Sequence, residues 1–112
     1  MTERQILAEI LTWIGSRSWA RAWRNNAGAV RYRDAEGRKR AVRFGMKGQA
    51  DISGILHDGR RLEIEVKVPG EKLRKEQAVF QCVIDRFNGV YVLAHSLEEA
   101  QQQLALRGYR DV

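Results

Sequence analysis

The sequence predicts a mixed α/β (α+β) domain in which helices flank a mixed sheet, with the core order α-β-β-β-α-β-α. Three stretches carry that prediction. An apolar stripe at helical spacing opens the chain, a period-two hairpin occupies residues 48–67, and a second amphipathic helix leads through Gly89 into the apolar run 90–94. A chain of 112 residues builds one hydrophobic core but not two, so residues 1–112 are read as a single domain.

Thr2 and Gln5 have the spacing of a capping box, which starts the first helix at Glu3. Ile6, Leu7, Ile10, Leu11 and Ile14 form its stripe, and at 100° per residue Glu3 projects into the middle of that stripe while Glu9 lies well off it. A carboxylate on a buried face needs a partner or a metal. In the first turn, however, it also complements the helix dipole, and spacing alone leaves both readings open. Gly15 and Ser16 loosen or end the helix. Trp13, Trp19 and Trp23 follow, interleaved with Arg17, Arg21 and Arg24. Such aromatics stack on bases or fill a core, and packing or a dimer contact is expected for at least two of the three. Arg24-Asn25-Asn26-Ala27-Gly28 reads as a polar turn suited to a phosphate backbone. Residues 29–33 and 40–44 read as strands around Asp34-Ala35-Glu36-Gly37. Their outward positions are basic, which makes this hairpin a DNA-facing wall.

In the central hairpin Asp51 stands at the entry of one strand, ahead of Ile52, Ile55 and Leu56. His57-Asp58-Gly59-Arg60 supplies the turn. Leu62, Ile64 and Val66 then alternate with Glu63, Glu65 and Lys67, so Glu65 and Lys67 share one face and the aliphatic trio packs on the other. Polar-out alternation is also what any solvated antiparallel sheet shows. Val68-Pro69-Gly70 ends the strand at Lys67. The next helix carries Ala78, Val79, Phe80, Val83, Ile84 and Phe87 as its stripe. Cys82 falls within that pattern as a buried packing residue, and Gln77 lies in the first turns, where the plain reading is a surface glutamine. The run 90–94 is expected to be a central strand covered on both faces. Ser96 and Glu99 form a second capping box for a helix over 97–106 that ends near Gly108.

Composition narrows the chemistry. The formal net charge is +6 and the pI about 10.0, pointing to a polyanionic partner. Half of the 20 Lys and Arg residues fall between Arg17 and Lys47, where only Asp34 and Glu36 oppose them. Arg24, Asn25, Arg31, Arg33, Arg40, Arg43 and Lys47 are the candidate DNA contacts. No apolar run approaches the ~20 residues needed to cross a bilayer, and the N-terminus lacks a signal peptide's uninterrupted apolar core. One cysteine and two histidines cannot assemble a zinc site of the usual kind. The expected setting is the reducing cytoplasm, with any metal held by oxygens.

Gly48-Gln49-Ala50-Asp51, Glu65-Val66-Lys67 and Gln77 on a following helix, taken as an ordered set, resemble the PD-(D/E)XK nuclease signature. The nearest type is the small stand-alone VRR-NUC domain of phages and bacteria, and the likeness covers nearly the whole chain. Ala50 stands where the nominal motif has proline, a position that is not a ligand. The resemblance implies a restriction-endonuclease-like core and Asp51 and Glu65 as principal ligands of Mg²⁺, for which Mn²⁺ substitutes. It also implies the Val66 carbonyl as a further ligand and Glu3 bound through a metal-held water. Lys67 would contact the scissile phosphate and orient the attacking water, with Gln77 holding that water or Lys67. A free lysine titrates near ~10.4, which favours positioning over proton abstraction. The family further implies 5′-phosphate and 3′-hydroxyl products, a homodimer, and branched DNA such as Holliday junctions as substrate. A nuclease-like module that binds nucleic acid without cutting is the competing expectation, and RNA stays open as a substrate.

Overall fold

The computed structural model describes the chain apart from Ala27 and Gly45, with the side chains of residues 28–30, 43 and 44 also outside the described set. Helix α1 spans Glu3–Gly15, followed by strands β1 (Ala20–Arg24), β2 (Gly28–Arg33), β3 (Lys39–Phe44), β4 (Ile52–Leu56) and β5 (Arg61–Val66). Helix α2 (Lys75–Arg86), strand β6 (Val90–Ala94) and helix α3 (Leu97–Leu106) complete the chain. Four strands form a mixed sheet in the order β1-β4-β5-β6, antiparallel except for the parallel β5–β6 pair, while β2 and β3 pair only with each other. The architecture is mixed α+β, as predicted.

The strand count is not. Five strands precede α2, where the core order has three and the strands read at 29–33, 40–44 and in the central hairpin make four; the added one is β1, Ala20–Arg24, a strand of the main sheet. Gly15, Ser16 and Ser18 mark the end of α1 without announcing a strand, and Trp23 reads equally well as packing or as a binding surface. β6 is covered on both faces, with Leu93 half-buried, yet lies at the sheet's edge. Burial reports what lies above and below a strand, not whether a neighbour pairs with it. The centre belongs to β4 and β5.

The sheet's first face is apolar. Ile52, Leu56, Leu62, Ile64, Val66, Val90, Val92 and Ala94 pack against Ile6, Leu7, Ile10 and Ile14 of α1 and against Ala100 and Leu104 of α3. A fully buried side chain of this size contributes about 1.5–3 kcal/mol, so this layer carries the domain's stability. Trp19 joins it and Trp13 packs against it edge-on at 5.8 Å, while Trp23 stays exposed. The expectation of packing for two of the three tryptophans holds, with Trp19 buried and Trp13 half-buried against it.

Caps follow the sequence with small shifts. Thr2 and Gln5 bond reciprocally, Gln5 N–H to Thr2 Oγ1 at 3.2 Å and Thr2 N–H to Gln5 Oε1 at 2.8 Å. Ser96 accepts from the Glu99 amide at 3.1 Å, but the Glu99 carboxylate reaches past it to the His95 amide at 3.2 Å. At the end of α2 the left-handed position is taken by Asn88 (φ 64°), one residue before Gly89. Gly89 N–H bonds Ile84 O at 2.8 Å and Asn88 N–H bonds Asp85 O at 3.1 Å, closing the helix as a Schellman turn. Cys82 is exposed, not buried, because α2 packs on the sheet only along the Gln77, Phe80 and Ile84 side. Val79, Val83 and Phe87 consequently face solvent. Among the described residues no helix is long and apolar enough to cross a membrane.

Candidate active site on the polar face of the sheet

Alternation in β5 places Arg61, Glu63 and Glu65 on the face opposite the core, and Lys67 continues the row past the strand's end. This face is not solvated. Glu63 is 0% exposed, Glu65 3% and Lys67 7%, because α2 lies over them with Phe80, Ala50 and Tyr91 as a small second apolar cluster. A carboxylate taken from water without a full set of partners costs several kcal/mol. Burial at that cost excludes the reading of a plain solvated sheet face.

Continuing the Ile52–Ile64 register by one residue sets Asp51 opposite Glu65. Asp51 Oδ2 accepts from the Val66 amide at 2.9 Å, so the strand backbone fixes the first carboxylate beside the second. Two further contacts hold this corner. Asn25 N–H bonds Asp51 O at 2.8 Å, and Asn25 Nδ2 donates to Ala50 O at 2.9 Å and to Ser53 Oγ. Asn25, expected to meet a phosphate, has its amide committed to holding Asp51's segment. Gly48 supplies the approach. Its φ is 77°, and a Cβ there would come within 2.2 Å of the Glu76 carbonyl, so only glycine lets this loop lie against the first turn of α2.

Gln77 is 4% exposed, not a surface glutamine. Its Oε1 accepts from the Arg74 amide at 2.8 Å, at the start of α2, and its Nε2 donates to Glu65 Oε2 at 2.9 Å. The Arg74 N–H can only donate, which fixes the side-chain amide and turns its NH₂ toward the carboxylate. Gln77 therefore positions Glu65, where the expectation was a bond to Lys67 or to water. Lys67 Nζ lies 3.6 Å from the same Oε2. Glu65 Oε1 has no hydrogen-bond partner among the described residues. Burial, then the Asp51 carboxylate, push the Glu65 carboxyl up to about 8, against the pull of Lys67.

Two adjacent carboxylates, one with a buried unpartnered oxygen and a raised pKa, fit a hard divalent cation. Such an ion favours one or two carboxylates plus water and phosphate oxygens. Glu3 is exposed in the first turn of α1, ahead of the buried stripe that begins at Ile6. Its charge reaches Glu65 and raises it slightly, but no cluster of three acidic, histidine or cysteine side chains of metal-holding geometry occurs among the described residues.

The candidate DNA contacts lie elsewhere. Arg24 is exposed at the end of β1. Arg31, Arg33 and Arg40, with Tyr32, Lys39 and Ala41, line an open cleft of about 550 Å³ on the β2–β3 hairpin. Arg40 pairs with Asp34 at 3.0 Å, and Lys47 sits 3.9 Å from Glu76. The Arg43 side chain lies outside the described residues.

Glu63, Ser53 and Tyr91 were not singled out from sequence, yet they share this face. Burial pushes the Glu63 carboxyl up, against Ser53 and Arg61, and Arg61 Nε meets its Oε2 at 3.0 Å. The Tyr91 hydroxyl is buried without a partner among the described residues, and burial beside these carboxylates raises its pKa. Glu63 was visible as a third acid in the same alternation, whereas Tyr91 gave no signal within an apolar run. No protein-family model matches the chain, and no curated protein matches it.

Proposed function

We propose that the chain is a Mg²⁺-dependent endodeoxyribonuclease of restriction-endonuclease-like core, acting on branched DNA such as Holliday junctions. The observation that carries this reading is the burial, side by side, of Glu65, Lys67 and Gln77, with the half-buried Asp51 beside Glu65, on a sheet face that a purely structural role would fill with apolar residues. The bound cation would be held by Asp51 and Glu65, with the Val66 carbonyl as a further ligand. It would supply charge neutralisation at the phosphoryl group and activation of a water.

The chain's own residues do the rest. Gln77 and the Val66 amide orient the two carboxylates. Lys67 brings a positive charge and N–H donors to a non-bridging phosphate oxygen and lines up the attacking water. Water adds to phosphorus as the P–O3′ bond breaks, leaving a 5′-phosphate and a 3′-hydroxyl. Glu3 acts through water at the edge of the site. The arginines of the β2–β3 hairpin hold the DNA backbone without reading sequence. A two-fold dimer would present two such sites to a branched duplex, and the exposed Val79, Val83 and Phe87 of α2 offer apolar surface to form it.

The basic hairpin alone would also serve a module that binds without cutting. Incubating pure protein with a four-way junction and with linear duplex, each with Mg²⁺, Mn²⁺ or EDTA, separates the two. Metal-dependent cuts on the junction are expected. Binding with no cuts under either metal leaves the binding module.

A further inference from the structure

The polar face of the sheet is roofed over only half its width. α2 covers the β5–β6 side, where Glu63, Glu65 and Tyr91 are buried. Toward β1 the same face lies open. Register places Arg21, Ile55 and Arg61 in one row across β1, β4 and β5, and Trp23, Ser53, Glu63 and Tyr91 in the next. Asp51 and Glu65 follow in a third. Ile55 is 49% exposed and Trp23 48%, whereas the other two tryptophans are largely enclosed.

Trp23 is held, not loose. The Arg61 guanidinium lies over its ring at 6.0 Å, and Arg61 is in turn fixed by the fully buried Glu63 at 3.0 Å. Arg21 is anchored by its Nη1 to the Arg17 and Ala20 carbonyls at 3.2 and 2.8 Å. The open patch therefore joins a flat aromatic ring to two positive side chains. The acid in this row, Glu63, is buried, with Oε2 paired to Arg61 and Oε1 without a partner among the described residues. Same-face residues of a strand are roughly 6.5–7 Å apart and neighbouring strands about 4.8 Å. Trp23 is one strand and one row from Asp51, about 8 Å from backbone to backbone on those spacings.

A ring at this place, ringed by arginine and next to the carboxylates, suits the face of a nucleobase attached to a neighbouring phosphate. A base inside a duplex is already stacked on both sides and cannot lie on it. We infer that Trp23, set by Arg61 and Glu63, is a stacking platform for an unpaired nucleotide next to the scissile phosphate, so that the substrate is DNA with single-stranded or splayed nucleotides at the cut. This rests on the nuclease reading for the position of the phosphate, but not for the binding itself.

The test uses the full chain in EDTA, titrated with oligo-dT and with a matched duplex, followed by tryptophan fluorescence and by anisotropy of labelled DNA. Wild-type fluorescence should be quenched by oligo-dT, and Trp23→Ala should bind it at least about fivefold more weakly while binding duplex as wild type does. Trp23→Tyr, which keeps a ring, should restore most of the affinity, and thermal melting confirms that both variants fold. With Mg²⁺, Trp23→Ala should lose cleavage of a splayed-arm substrate through a raised KM. Equal oligo-dT binding by wild type and Trp23→Ala overturns the platform even if junctions are cut. Trp23-dependent binding of oligo-dT without cleavage of any DNA keeps the platform and removes the nuclease reading instead.

Discussion

The two faces of the four-stranded sheet are made from alternate residues of the same strands, and they solve opposite problems. On one, Leu62, Ile64 and Val66 meet α1 and α3 in a layer of apolar side chains. On the other, Glu63, Glu65, Lys67 and Ser53 are as thoroughly buried, together with Gln77 of the covering helix α2. The first face yields the free energy of folding, and the second consumes part of it. A domain keeps such a face when the buried charges act on something else, and the partners of Glu65 are arranged so that one oxygen, Oε1, is left over. Burial alone therefore does not separate the stabilising face from the functional one; hydrogen-bond satisfaction does.

The largest effect expected on that comparison is on activity. Glu65→Gln and Lys67→Ala should each lower metal-dependent cleavage by about 10²-fold or more in single-turnover assays, with junction affinity kept because the hairpin arginines are untouched. Glu65→Gln should bind DNA as well as wild type does, and better above about pH 8, where the wild-type carboxyl is charged. Wild-type cleavage by both variants would remove the polar face from the chemistry. Next in size, Ile64→Ala, one residue away but on the apolar face, should cost about 2–5 kcal/mol of unfolding free energy in a urea titration. A loss under 1 kcal/mol would mean that the two faces are not divided as described.

A pH series in EDTA sharpens the contrast. The Glu65 carboxyl titrates at about 8 in the folded chain against 4.5 when unperturbed, so between those values the native state holds the extra proton. Stability should then fall as pH rises from about 4.5 to about 8, by at most a few kcal/mol at roughly 1.4 per unit. Glu65→Gln should flatten that slope and melt higher than wild type at pH 8. A wild-type curve as flat as the variant's would show that the carboxyl is not held in its acid form. The smallest effect belongs to Glu3→Gln. An exposed group acting through water should change cleavage by roughly severalfold at most, and loss on the scale of Glu65→Gln would promote Glu3 to a direct ligand.

Much of this was legible in the residues. The Thr2–Gln5 capping box, the Ser96 N-cap, the Asp-Gly turn, the alternation of β5 and the ends of α1 and α3 are local features, fixed by side-chain reach and backbone sterics within a few positions. β1 was missed because its pattern of alanine, tryptophan and arginine becomes a strand only by pairing with β4. Cys82 and Val79 were misplaced for a related reason. α2 carries more apolar residues than one sheet face can cover, and nothing local says which side is left outside.

The sequence by itself determined that a carboxylate pair, a lysine and a glutamine come in an order that a hairpin and a following helix can gather, because strand periodicity and turn chemistry act at short range. Only the tertiary structure decided that Glu63, Glu65 and Gln77 are buried and that Asn25 and Gln77 act as struts. It also decided that Glu3 stays in solvent and that Trp23 alone of the tryptophans lies open. Those outcomes depend on where α2 lands on the sheet and how far it reaches. That placement is set by the close approach of Gly48 to Glu76 and by the packing of Phe80 on Tyr91, contacts between residues far apart in the chain.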